Sequence, residues 1–397
     1  MGSGANLENK NKVWGKMKKI FFLFVIFLFL SAKATSAFEY TIVPSLSLTE
    51  EYNDNIFLDS SDKVDDFITY ITPSLNLSMR SANSELAFGY STSLSFYNSH
   101  SYLNGQPAHN FNAGSSFRLS ERLSFTLSDT YVMSSETRDI RAISDTGPLT
   151  GRRKLTYNNI SGNIFYKLGG NLTYTLGASY LYSKYEEPDE TTSKIYSGTM
   201  GLTYRHSERT ALSASASYTQ YDYKTESDAK GQNYTFGCTY VLTPTVTIGF
   251  TGGVSITKIE DTGESETGYI GGVNITKRLE RGQASLSYEQ RIINGIETET
   301  PVKSQILSLS LSRPFTNKFA ASLSTSYGNY KSIETNETDT DEMTFTTSLT
   351  YRLRPWATLA LSYNYVKSYD KKDDANAYDN NRVLLTLNLS YGREARK

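Results

Sequence analysis

Side-chain alternation that outlasts an ordinary strand constrains this chain more than any other feature. Leu359, Leu361, Tyr363 and Tyr365 point one way, while Ala360, Ser362 and Asn364 point the other. After an Asp/Lys/Asn-rich loop, Leu385, Leu387, Leu389 and Tyr391 repeat the pattern against Thr386, Asn388 and Ser390. Successive side chains of a strand face opposite ways, so each such strand has one apolar face and one small, polar face. Strands of soluble sandwiches alternate too, but over about five or six residues. Here the alternation commonly persists for about ten or more, the length a tilted strand needs to cross a bilayer. The pattern predicts an all-β chain forming a transmembrane antiparallel up-and-down β-barrel.

The N-terminus is built differently. Lys18 and Lys19 precede an unbroken apolar run, Ile20 to Leu30, and then small residues from Ser31 to Ala37. That order of charged, apolar and small segments is a secretory signal peptide, and the run is too short for an ordinary membrane helix. Met17 is the more natural start, and cleavage is expected after Ala34 or, preferably, Ala37. Residues 1–37 are therefore read as extension and signal peptide, and 38–397 as a single barrel domain. Residues 1–37 hold six lysines and one glutamate, so their removal takes 40 basic and 41 acidic residues to 34 and 40. A net charge of −6 argues against a general nucleic-acid binder, which carries a basic surface. The 30 tyrosines against 2 tryptophans suit membrane–water boundaries, where an apolar ring needs a wet hydroxyl. The one cysteine, Cys238, alternates with Phe236 and Tyr240 and is expected to face lipid as a small apolar filler.

Eighteen strands are predicted, over residues 39–52, 66–79, 84–98, 108–119, 122–135, 153–168, 171–184, 193–206, 209–224, 231–242, 245–259, 267–279, 282–294, 302–313, 317–331, 341–353, 356–370 and 380–391. Their connections alternate between tight turns, such as Ser120-Glu121 and Gly169-Gly170, and longer loops, such as 53–65 and 136–152. Bacterial barrels place short turns in the periplasm and longer loops outside, with an even strand count. Both termini are then expected to be periplasmic. The longer loops are mostly acidic, as in Glu186-Glu187-Pro188-Asp189-Glu190, Glu260-Asp261 with Glu264 and Glu266, and Glu334 through Glu342. Basic residues gather at the tight-turn end: Arg122, Lys167, Arg205, Arg209, Lys277, Arg278, Arg281, Arg313, Lys318, Arg352 and Arg354. Exclusion of charge from the hydrocarbon band explains both sets. Acidic loop tips holding divalent cations beside lipopolysaccharide are the sharper reading, although no loop has calcium-motif spacing. Pro44 and Pro73 fall inside predicted strands, where proline removes a ladder donor, and so predict bulges or a weak closing seam.

On the face assigned to the lumen, small residues dominate: Ser308, Ser310 and Ser312, then Ser322, Ser324 and Ser326, and Thr247, Gly249, Thr251 and Gly253. About eighteen strands with small inward side chains leave room for an aqueous channel. The loop 136–152 differs in sign, carrying Arg138, Arg141, Arg152 and Arg153. Folded into the bore it would form a constriction whose arginines favour anions, and as a solvated tip it would do neither. The three histidines, His100, His109 and His206, form no metal or nucleophile motif, although a Ser-His-Asn arrangement near His100 and His109 is worth testing. No catalytic residue, metal or cofactor is expected.

The segment Val43 to Leu58 contains Glu50, Tyr52, Asp54, Asn55 and Ile56 in the pattern Glu-x-Tyr-x-Asp-Asn-hydrophobic. It resembles the opening of a family of outer-membrane β-barrel porins found with exosortase (PEP-CTERM) and exopolysaccharide gene clusters, and Thr72-Pro73-Ser74-Leu75 is similar to the family's second strand. Physically, Asn53-Asp54-Asn55 suits a turn in which side chains bond nearby backbone. The resemblance implies an outer-membrane location, contact with lipid and lipopolysaccharide, and polysaccharide-export components as partners. The resulting expectation is a porin-like channel for small polar solutes or an exopolysaccharide. The alternative is a structural or surface-interaction barrel with a closed lumen.

Overall fold

The computed structural model describes residues 39–395 except 142, 144–148, 150, 187–189, 262, 264, 296–299, 334–338 and 373–376. The expected signal peptide, and Glu187, Pro188, Asp189, Glu264 and Glu334, lie outside the described residues. The strands are β1 (Glu39–Asn53), β2 (Asp66–Arg80), β3 (Ser84–Tyr97), β4 (Ala108–Arg118), β5 (Leu123–Ser134), β6 (Leu155–Lys167), β7 (Leu172–Tyr185), β8 (Thr191–Arg205), β9 (Thr210–Tyr223), β10 (Ala229–Thr243), β11 (Val246–Ile259), β12 (Ser265–Arg278), β13 (Gln283–Gly295), β14 (Thr300–Pro314), β15 (Phe319–Ser332), β16 (Asp339–Arg354), β17 (Ala357–Asp370) and β18 (Tyr378–Ser390). No boundary departs from the sequence reading by more than two residues. A three-residue strand, β19 (Arg393–Ala395), follows.

From β1 to β18 each strand pairs antiparallel with its neighbours in the chain, and β1 also pairs with β18 from Ser45↔Ser390 to Asn53↔Arg382. That last pairing closes the sheet into an 18-strand barrel. Closure leaves no edge, which is what lets a sheet exist in hydrocarbon at all. The outward face is apolar and uncovered, as at Phe236, Phe250, Leu307 and Leu385. In water such a surface would aggregate; against lipid it is satisfied. Cys238 shares this face with Phe236 and Tyr240, as the alternation requires.

Both prolines sit where the ladder lapses. Between β2 and β3 the register runs from Ile71↔Leu94 to Ser74↔Ser91, skipping Thr72 and Pro73, and a Thr72 Oγ1–Ser93 Oγ contact of 2.9 Å spans the gap. At Pro44 the partner of β1 changes: β18 ends opposite Ser45, Tyr391 N donates to Pro44 O at 3.1 Å, and β19 pairs with Tyr40–Ile42. The chain beyond Tyr391 thus extends the closing seam.

The tight turns share one device. Ser120, Ser207 and Thr316 each accept, through the side-chain oxygen, the backbone N–H groups two and three residues on. Short hydroxyl turns of this kind reverse the chain without a long loop. The turn into β13 uses Gly282 instead, at φ +103, where a Cβ would collide with the Ser312 carbonyl oxygen. Gly282→Ala is expected to lower stability by about 2 kcal/mol, read as a shifted urea midpoint in lipid vesicles.

Candidate functional site

The inward face changes character along the barrel axis. In the half next to the tight turns, inward residues are small and exposed to the bore, as at Ser128, Thr130, Thr199, Thr239, Thr251 and Ser310. In the half next to the long loops, inward residues are buried, and tyrosines such as Tyr70, Tyr97, Tyr157, Tyr185, Tyr221 and Tyr378 stand among small ones such as Ser95, Ser183, Ser255 and Ser304. Small inward residues thus run the length of the bore, but near the long loops they are covered instead of open. Described residues of the connection between β5 and β6 lie against inward residues in that half.

This connection leaves β5 at Ser134, whose hydroxyl bonds Asp139 Oδ2 at 2.9 Å and accepts the Glu136 N–H at 3.0 Å. Those bonds start a single helical turn, α1 (Thr137–Arg141). Ile140 on α1 is 0% exposed and Leu149 is 1% exposed. They pack with Val132, Leu155, Tyr157 and Tyr185 on the near side, and with Val366 of β17 and Tyr378 of β18 on the far side. A segment that leaves β5 and touches β17 and β18 crosses the interior of the barrel. The apolar contacts hold it there by removing its Ile and Leu side chains from water.

The four sequence-predicted arginines all lie on this segment. Arg141 reaches β16 and β18: Nη1 donates to Glu342 Oε2 at 2.8 Å, and Nη2 donates to the Tyr378 hydroxyl. Arg138 bonds Asp139 at 3.1 Å and stands 3.9 Å over the Tyr70 ring of β2. Arg152 bonds Glu136 at 3.2 Å and lies over Tyr97 of β3, and Arg153 lies 5.0 Å over Tyr185 of β7. Glu136 also accepts from the Tyr97 hydroxyl at 2.6 Å and Ser95 Oγ at 3.1 Å. Burial works against the charge of Arg138, Arg141 and Arg152, but adjacent acids and tyrosines outweigh it and hold all three above the ordinary arginine value. Arg141 therefore ties the segment to an acid of β16, while Arg138 and Arg152 are paired with acids of the segment itself, and all three pairings lower the capacity to bind a passing anion.

Two buried charged residues at the candidate site were missed in the sequence. Glu51 of β1 is 1% exposed and Arg382 of β18 is 6% exposed, both facing inward beside α1. Among the described residues, Arg382 Nε and Nη1 and Glu51 Oε2 have no hydrogen-bond partner. Their only signal was a charged residue at an inward position of an otherwise small-residue strand face.

The Glu50–Ile56 motif is a clasp. Asn55 is fully buried, and its side chain bonds both backbone groups of Asp59 and the carbonyl of Asp379. Asp54 accepts from the backbone and side chain of Asn381, and Ile56 packs with Ile68, Tyr70, Tyr97 and Leu103. Glu50 and Tyr52 point outward to Thr69 and Asp65. The histidines do not converge: His100 bonds Asp66 at 2.8 Å, whereas His109 sits on the outer face against the Tyr90 hydroxyl. Among the described residues no three metal-ligating side chains meet. Several loop acids have lysine partners instead, as Glu190 does with Lys184 and Lys224.

A closed 18-strand barrel with an apolar outer band and a segment across its bore is a transmembrane barrel of the porin kind. Solved structures agree on the fold. The chain is similar to OccAB4 of Acinetobacter baumannii, with 11% identity, a TM-score of 0.51, and 90% of this chain covering 99% of that one. It is equally similar to OccK2 (OpdF) of Pseudomonas aeruginosa, at 11% identity and TM-score 0.51, covering 88% of this chain and 98% of that one. OccK9 (OpdG) of the same organism gives 12% identity and TM-score 0.50 over 89% and 98%. No family model and no curated protein matches the chain.

Proposed function

We propose that the protein is a passive channel of the bacterial outer membrane for small polar solutes, with its narrow zone formed where α1 and its neighbours Leu149, Arg152 and Arg153 lie inside the bore. The observation that carries this reading is the bond from Arg141 of the β5–β6 segment to Glu342 on β16, which fixes the segment across the interior. Tight turns would face the periplasm, which puts the start of β1 and the end of β18 on that side. One OccK2 structure holds glucuronate, a small polar acid, which is in keeping with a solute of that size. An exopolysaccharide conduit, implied by the family resemblance, fits less well, because a polymer needs a passage that a pinned segment does not obstruct.

The purified protein is expected to give discrete conductance steps in planar bilayers. Replacing Arg138, Arg141, Arg152 and Arg153 together by serine should enlarge those steps and alter ion selectivity. A protein silent both before and after this replacement would favour the structural barrel with a closed lumen.

A further inference from the structure

We propose that the tight-turn mouth of the bore is an anion-binding ring, a capture site for solutes bearing carboxylate or phosphate groups. The proposal rests on the channel reading and concerns the end of the bore remote from the β5–β6 segment. Its basis is a repeated position. Arg118, Lys167, Arg205, Arg278 and Arg352 lie at the tight-turn ends of β4, β6, β8, β12 and β16. In each, the backbone N–H donates to a carbonyl of the neighbouring turn, of Asn83, Arg122, Asn171, Thr245 and Lys318 respectively, at 2.7 or 2.8 Å. Arg80 is the last residue of β2. Six of the nine strands that run toward this mouth thus finish on a cation.

Strand alternation aims these cations into the bore. Arg118 shares its face with Asn112 and Ser116, Arg278 with Asn274 and Thr276, and Arg352 pairs in register with Thr358, a neighbour of inward Ala360 and Ser362. Lipid phosphates would be met by outward residues such as Lys277 and Arg313, which occupy the other face. All six inward cations are exposed. Arg80 is paired with Glu85 at 2.7 Å, and among the described residues the other five have no ion pair. The ring opens between β2 and β7 into a cavity of about 340 Å³, where Arg80, Arg118, Arg122 and Lys167 meet Glu85 and Glu121.

The two inward acids at this mouth, Glu39 and Glu85, both stand beside Arg80, so the other five cations are in excess. An excess of one sign around an aqueous mouth concentrates counter-ions and sets selectivity. Compensation from the acidic long loops does not reach it. The strands separate the two ends by roughly 30 Å, about three Debye lengths in 0.1 M salt. Alternate strands stand about 10 Å apart, so neighbouring cations suit a ligand with two or more anionic groups better than a single halide.

The test uses the full barrel in planar bilayers with tripolyphosphate as probe. The reversal potential in a KCl gradient near 0.1 M should show preference for chloride, and the preference should fade toward 1 M as screening shortens to about 3 Å. Tripolyphosphate should block from one side only. Replacing Arg118, Lys167, Arg205, Arg278 and Arg352 by glutamine should abolish the chloride preference and weaken block by about tenfold or more. The outward control, Lys277→Gln with Arg313→Gln, should change neither. Cation preference in the unmodified protein, or equal losses in the control, overturns the ring. Absence of any current defeats the channel reading instead. Calorimetry of tripolyphosphate binding to the detergent-solubilised barrel then decides the ring alone, and no binding overturns it.

Discussion

Arg141→Ala is expected to raise single-channel conductance and to expose the β5–β6 segment to protease. Arg141 joins α1 to two strands on the far side of the bore, through Glu342 and the Tyr378 hydroxyl. Both members of the Arg141–Glu342 pair are mostly buried, at 15% and 10% side-chain exposure. Truncating one partner of a buried pair leaves the other charge uncompensated, a loss of about 3–5 kcal/mol. Opposing that loss are the apolar contacts of Ile140 and Leu149 with Val366 and Tyr378, each side chain contributing about 1.5–3 kcal/mol. The two effects are comparable, so the segment should spend a measurable fraction of time undocked, seen as larger and noisier current steps. Arg141→Lys keeps the charge but loses the forked geometry that serves Glu342 and Tyr378 together, and should fall between the two. Unchanged conductance together with an unchanged protease pattern in the alanine variant would show that Arg141 does not hold the segment.

The strands were legible because a period of two survives in the sequence wherever one face meets lipid and the other water. Leu385, Leu387 and Leu389 announce a strand, its direction of exposure and its length without any knowledge of what lies beside it. The same logic located the turns and the prolines, since Pro44 and Pro73 cannot fill a continuous ladder. What fills the bore was not legible. Alternation assigns Tyr70 or Tyr378 to the inner face but is silent on what each meets there, and the segment they meet has no period of its own. The arginines of that segment stood out by sign, yet the pairing of Arg141 with Glu342 depends on a strand far away in the sequence. Arg382 and Glu51 were harder still, because a single charged residue in a strand resembles a rim residue until the register shows it beside α1. The basic residues of the tight-turn end were visible as a group. Only the register separated those facing the bore from those facing lipid.

Asn55→Ala should weaken the barrel where it closes. Every other long-strand pairing joins neighbours in the chain, whereas β1 and β18 meet across more than three hundred residues, from Asn53 to Arg382. Pairing so remote in sequence is slow to form and gains little from local propensity. The clasp adds bonds at that point. Asn55 accepts Asp59 N–H at 2.9 Å and donates to Asp59 O at 2.7 Å and Asp379 O at 3.1 Å. Its own carbonyl accepts from Asn380 Nδ2, which also donates to Asn53 Oδ1 at 2.6 Å. Alanine keeps the backbone bonds but strands one donor and two acceptors around a fully buried site, a loss of about 3 kcal/mol if water relieves part of it. The urea midpoint in lipid vesicles should fall, and assembly from urea should slow, since the bonds lost are those that close the sheet. Asn55→Asp should be nearly as damaging, because it retains the acceptor and loses both donations. Tyr52→Phe removes one exposed 3.4 Å contact to Asp65 and should change neither midpoint nor rate. Equal behaviour of the Asn55 and Tyr52 variants would mean that the motif does not serve closure, and that the seam depends on its ladder alone.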